Sequence, residues 1–137
     1  MKPSDRAPDA GDIIRVTLAP TAGHEQAGRR PALVLSPAPY NARVGLAICC
    51  PITSHVKGYP FEVELPAGLP VRGAILADQI KCLDWRLRRA EIACEVSGDL
   101  LAEVMSRLAV LLPLRDCQGT VSRPAPRGLA LIPRRRS

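Results

Sequence analysis

Aromatic side chains make up only 3% of the sequence, with one Trp, two Tyr and one Phe. A surface that reads nucleobases by stacking therefore has few rings to use: Tyr40, Tyr59, Phe61 and Trp85. Histidine is scarcer still. His24 and His55 are too few to complete a convincing zinc site. The five cysteines, Cys49, Cys50, Cys82, Cys94 and Cys117, are odd in number and contain no C-x-x-C pair. That pattern argues against a disulfide framework and predicts buried free thiols in a reducing cytosol. No apolar run reaches the roughly 18–20 residues that cross a bilayer, so no membrane span is expected. The opening MKPSDRAPDAGD lacks the apolar stretch of a secretory signal. Phosphate loops of the forms GxxxxGK(S/T) and GxGxxG are absent, and so is the G-x-S-x-G elbow of acyl-transfer enzymes.

What is present describes one globular unit. The chain has 137 residues, 47% of them hydrophobic, which suffices for a single packed core. The net charge of +6 is unevenly spread: residues 115–137 hold six arginines against Asp116 alone, five of those six net charges. Basicity of the tail is no argument that the folded part binds nucleic acid. Residues 1–10 read as a flexible leader, 11–113 as the folded domain, and 114–137 as an Arg- and Pro-rich flexible tail.

Period-2 alternation predicts short strands. In IIRVTL (13–18) the side chains of Ile14, Val16 and Leu18 share a face, a half-buried pattern. PALVLS (31–36) reads as a central strand, LAICCPIT (46–53) as the next, and FEVEL (61–65) alternates with Glu62 and Glu64 outward. SPAPYNARVG (36–45) reads as a turn region from its Pro, Asn and Gly. AILADQIKCL (74–83) and RRAEIACEV (88–96) supply further strands, the former interrupted at Asp78-Gln79. Five to seven short strands with short connections predict a curved antiparallel sheet or small barrel. Over 97–112 the period changes to helical: Leu100, Leu101, Val104, Met105, Leu108, Leu111 and Leu112 share one face. Ser97 suits the N-cap, Asp99 the positive helix end, and Pro113 stops the helix. The apolar LAVLLP at its end is expected to pack on the sheet.

Chemistry is left to polar residues at strand ends and in loops: Glu25, Arg29, Arg30, Thr53, Ser54, Lys57, Asp78 and Gln79. Pro31 biases Arg30 toward extended backbone, so its planar, permanently charged fork leaves from a fixed point at a strand start. Glu25 can hold that fork or take a proton; the bland alternative is a surface ion pair. Thr53 ends a strand with a hydroxyl able to donate to an anion. Lys57-Gly58-Tyr59-Pro60 is a turn that can present a cation and a ring. Asp78-Gln79 could bond base edges or mark a bulge.

Several stretches, in order and spacing, resemble the MazF/PemK family of toxin endoribonucleases: GDII (11–14), EQAGRRPALVLSP (25–37), YN (40–41), PIT (51–53), KGYPFEV (57–63) and ADQIK (77–81). The resemblance covers about residues 10–112. It implies a mainly β fold, a small curved SH3-like barrel with one principal C-terminal helix, assembled as a homodimer in the cytoplasm. It implies metal- and cofactor-independent cleavage of single-stranded RNA by 2′-hydroxyl attack, leaving a 2′,3′-cyclic phosphate and a 5′-hydroxyl and so inhibiting translation. A protein antitoxin with an acidic flexible segment is the implied partner. Carried over by position, Arg30, Thr53 and Glu25 are the expected catalytic residues, while Lys57, Tyr59, Asp78, Gln79 and Arg29 are expected to contact RNA. Asp78 also aligns with an acid proposed as base in some relatives, which leaves the base open between Glu25 and Asp78. Leu76 stands where some relatives carry an arginine. Non-catalytic toxins of the same fold bind DNA gyrase, and a degenerate homologue would bind antitoxin alone. Such a gyrase binder would not need Glu25, Arg30 and Thr53.

Overall fold

The computed structural model describes residues 6–17 and 29–112. Their order is β1 (Asp12–Thr17), β2 (Arg29–Val34), α1 (Ala38–Val44), β3 (Leu46–Thr53), β4 (Glu62–Glu64), β5 (Ala74–Leu76), β6 (Lys81–Asp84), β7 (Glu91–Glu95) and α2 (Gly98–Leu111). The seven strands form one curved antiparallel sheet; six follow the order β4-β5-β3-β2-β1-β7, and β6 pairs with β3 off this path. β3 is long enough to serve two neighbours on one edge. Leu46–Cys49 pair with β6, and Ile52 and Thr53 pair with β5. No described helix is long and apolar enough to cross a membrane.

Both faces of the sheet are buried, and this departs from the half-buried reading of β1. Ile13 joins Leu33, Cys50, Ile75, Val104 and Leu108 on one side. Ile14 and Val16 join Val34, Cys49, Leu83 and Trp85 on the other. The β1–β7 register shifts between Ile13 and Ile14, a bulge that increases the local bend. Each fully buried Ile or Leu here contributes roughly 1.5–3 kcal/mol. Leu18 and the tail lie outside the described residues.

Residues 6–10, expected as a leader, are held to this core. Pro8 is fully buried, and the buried carboxylate of Asp12 accepts from the backbone N–H of Asp9 at 2.8 Å and from Arg6 at 3.3 Å.

The segment read as a turn is the helix α1. Pro37 is its N-cap, a second proline occupies its first turn, and Gly45 closes it at φ 79°, where a left-handed residue is required. The same Pro and Gly that signal a turn here punctuate a short helix. Asn41 is its anchor. Fully buried, its amide donates to the carbonyls of Pro8 (2.8 Å) and Ser36 (2.9 Å), and its Oδ1 accepts from Ser36 Oγ at 2.6 Å.

α2 begins as expected, with Ser97 Oγ accepting from the Leu100 N–H at 3.1 Å. Its buried stripe is narrower than the sequence implies: Val104 and Leu108 are buried, Leu100 and Leu101 partly so. Met105, Val110, Leu111 and Leu112 are exposed, so the terminal apolar run does not pack on the sheet. Of the cysteines, Cys49 and Cys50 are buried free thiols as expected. Cys94 is intermediate and Cys82, on the short strand β6, is exposed. Cys117 lies outside the described residues.

Candidate active site

The β2–β3 ladder pairs Val34 with Cys49, Leu33 with Cys50 and Ala32 with Pro51. The ladder ends there; Arg30 on β2 and Thr53 on β3 each stand two residues beyond its last pair. Alternation sets Arg30 on the face of Ala32 and Val34, and Thr53 on the face of Cys49 and Pro51, which is the same face. The two side chains expected to act together therefore project from the same face of their strands, near the end of the β2–β3 ladder. Arg30 is exposed and Thr53 partly so.

Thr53 is prepared for donation. Its Oγ1 accepts the backbone N–H of His55 at 3.1 Å, which leaves its own O–H free for an anion. Its main chain is fixed by pairing with Ala74 of β5. Glu25 lies outside the described residues.

A second group surrounds the 57–62 turn. Glu62, expected to point outward, instead closes this turn: Oε1 accepts from the N–H groups of Lys57 and Gly58, both at 3.0 Å. The Glu62 N–H returns to the Tyr59 carbonyl at 3.0 Å. Lys57 and Tyr59 are thus exposed side chains on a braced turn. The Tyr59 ring stands at 59° to Phe61, with centroids 6.1 Å apart. Arg107 of α2 donates to the Pro60 carbonyl and pairs with Glu103 at 2.8 Å.

Tyr59 donates its hydroxyl to Asp78 Oδ2 at 2.9 Å. That hydrogen bond, with the Asp78 charge next, raises the Tyr59 pKa above its ordinary value. Asp78 Oδ1 is buried and has no hydrogen-bond partner among the described residues. Gln79, its neighbour in the β5–β6 turn, is exposed. Asp78 follows Ala77, whose carbonyl lies 3.8 Å from Cys50 Sγ, so Asp78 is set back along β3 from the Arg30–Thr53 row. The structure brings Tyr59 and Asp78 together by a hydrogen bond, and places Arg30 and Thr53 on the adjacent strands β2 and β3.

Arg29 is employed differently from its neighbour. Its Nη1 donates to Thr17 Oγ1 (3.2 Å) and the Arg88 carbonyl (3.1 Å), and its Nη2 to the carbonyls of Arg15 (3.1 Å) and Arg89. Glu91 adds an ion pair at 3.5 Å. No sequence signal could reveal this, because two of the acceptors are main-chain carbonyls about sixty residues away. Gly73, also missed, has φ 121° and lies directly against the Thr53 carbonyl.

Seven short strands in one curved antiparallel sheet, with two helices among the described residues, define a small, mainly β protein. Residues 9–112 match the PemK-like, MazF-like toxin family of type II toxin–antitoxin systems, and the chain belongs to that family. It is 47% identical over 105 residues to the endoribonuclease toxin MazF of Escherichia coli K12, spanning 77% of this chain and 94% of that protein. The fold matches the crystal structure of MazF from Deinococcus radiodurans with a TM-score of 0.72 and 57% identity, over 80% of this chain and all of that one. It also matches a MazE–MazF structure from the same organism, at a TM-score of 0.71 and 53% identity, over 79% and 97% of the two chains.

Proposed function

We propose that the protein is an endoribonuclease toxin that cuts single-stranded RNA, mRNA above all, by attack of a ribose 2′-hydroxyl on the adjacent phosphorus. The observation that supports this reading is the family match over residues 9–112, with Arg30 exposed on β2 and Thr53 ending β3 beside it. The reaction needs a proton removed from the 2′-hydroxyl, charge balanced on the phosphorane, and a proton supplied to the departing 5′-oxygen. Arg30 holds the phosphoryl oxygens with a charge that does not titrate near neutrality, and Thr53 donates to the same group. Glu25 is the candidate base. Asp78, with one oxygen bound by Tyr59 and the other buried, is better suited to hold Tyr59 in place. Lys57, Tyr59 and Gln79 are the exposed groups that position the RNA. The products are a 2′,3′-cyclic phosphate and a 5′-hydroxyl, with no metal called upon, and the consequence in the cytoplasm is arrest of translation.

A cognate antitoxin presenting an acidic, flexible segment is the partner that fits an arginine-bearing rim. We assign self-association as a homodimer to the exposed end of α2, where Met105, Val110, Leu111 and Leu112 are uncovered. The deciding experiment incubates antitoxin-free protein with a long single-stranded RNA in EDTA and maps the ends. Discrete cuts with cyclic-phosphate ends, absent with Arg30→Ala, support the reading. Intact RNA from the folded wild type, or cutting by Arg30→Ala at the wild-type rate, contradicts it.

A further inference from the structure

The start of β2 is poorly served by its own ladders. Pro31, opposite Arg15 on β1, has no N–H to give. On the other side, the pairing with β3 stops at Ala32 and Pro51, and Pro51 also lacks an N–H. Arg30 thus stands one residue beyond the first proline, paired only with Val16 of β1. A catalytic arginine on so weakly tied a strand end would be badly aimed.

On the β1 side Arg29 supplies bonds from its side chain. Its guanidinium reaches Arg15 and Thr17 on β1, and Arg88 and Arg89 in the β6–β7 turn. That turn is itself bound to β1: the Thr17 N–H donates to the Arg88 carbonyl at 3.2 Å, and Arg88 Nη1 donates to the Thr17 carbonyl at 2.8 Å. Glu91, paired with Arg15 in the β1–β7 register, balances the charge. The result is a closed frame of β1, β2 and the turn, with the Arg29 fork at its centre. Four acceptors divided between two nitrogens suit a planar guanidinium and not an ammonium.

We propose that Arg29 is a positioning residue: its guanidinium bonds the Arg15 carbonyl opposite Pro31, together with Thr17 and the β6–β7 turn, and so sets the backbone from which Arg30 addresses the phosphate. This rests on the reading of Arg30 as an active-site residue. With its donors spent inside the protein, Arg29 is not itself a contact for RNA.

The test compares Arg29→Gln, Arg29→Lys and Arg30→Ala with the wild type. Cleavage kcat and KM are measured on a short RNA with one cut site. Binding is measured on the same RNA carrying a 2′-deoxy sugar at that site, and folding is followed by thermal melting. A small misplacement of a catalytic group costs on the order of ten- to a hundredfold in rate, and that is the kcat loss expected for Arg29→Gln. Affinity for the deoxy RNA should stay at the wild-type level, and Arg29→Lys should recover only part of the rate. Unchanged kcat in folded Arg29→Lys and Arg29→Gln overturns the proposal and leaves Arg29 a purely structural anchor. Weakened binding with unchanged kcat overturns it in favour of direct RNA contact. If Arg29→Gln does not fold, wild-type kcat in Arg29→Lys is the overturning result. Arg30→Ala separates the two levels: if it cuts normally, the active-site reading fails. If Arg30→Ala is inactive while the Arg29 variants keep their kcat, only the positioning role fails.

Discussion

Gly73 lies so close to Thr53 that a Cβ on it would come within 2.0 Å of the Thr53 carbonyl oxygen. Its φ of 121° is also one that side-chain-bearing residues rarely adopt. The loop before β5 can therefore press on the end of β3 only because this residue is glycine. Gly73→Ala should destabilise the fold by at least about 2 kcal/mol through strain and displacement. It should also lower cleavage by moving Thr53. Denaturant unfolding and a cleavage assay on the folded fraction check both parts; a variant as stable and active as the wild type contradicts them.

Asn41 satisfies three polar groups where water does not reach, and Ser36 Oγ in turn accepts the Ile48 N–H at 2.9 Å. Truncation to Asn41→Ala orphans the Pro8 and Ser36 carbonyls together. The expected loss is on the order of 3 kcal/mol, read as a lower melting temperature. Because α1 stands away from the Arg30–Thr53 rim, kcat of the folded variant should be unchanged.

The thiols of Cys49 and Cys50 are pushed up to about 12, chiefly by burial. A raised pKa favours the neutral form in the fold. Its contribution to stability is complete below the ordinary value of 9.0 and lost only as pH climbs toward about 12. At neutral pH these two thiols should resist alkylation until the protein unfolds, whereas exposed Cys82 should react in the native state. In a Cys117→Ser background, mass spectrometry of brief alkylation distinguishes them. Native labelling of Cys49 or Cys50 as fast as Cys82 would contradict the burial described.

Asp78 keeps Tyr59 protonated beyond its ordinary value of 10.0, first by accepting its hydrogen bond and then by charge. The paired, neutral tyrosine is therefore present throughout neutral and mildly alkaline pH and is lost only above that value. In Asp78→Asn the Tyr59 ionisation should fall back toward 10.0, as followed by ultraviolet absorbance with Tyr40→Phe removing the other phenol. KM for RNA should rise more than kcat falls, because Tyr59 loses its holder while Arg30 and Thr53 keep theirs. No downward shift in Tyr59 would remove Asp78 from this role.

Alternation made the strands around Ile14, Cys49 and Val63 legible in the sequence, and the Ser97 cap with its helical period made α2 legible. Burial of β1 on both faces was not, because the bulge between Ile13 and Ile14 depends on a register with Cys94 and Ile92 far along the chain. α1 was hidden by residues that serve turns and short helices equally. Arg30 and Thr53 could be named by resemblance, but that their strands are neighbours follows from the β2–β3 pairing. The Arg88 and Arg89 carbonyls that Arg29 meets were not legible, since they lie about sixty residues along the chain.

Whether Arg30 and Thr53 hold one phosphoryl group is decided by a double-mutant cycle on cleavage. Arg30→Ala, Thr53→Val and the double variant are compared in kcat, with melting temperatures to confirm folding. Each single change should cost on the order of a hundredfold or more. Two residues acting as a unit give a double variant scarcely slower than the worse single one. Losses that multiply in full, or a Thr53→Val enzyme as fast as the wild type, would show that the two side chains do not share a phosphate.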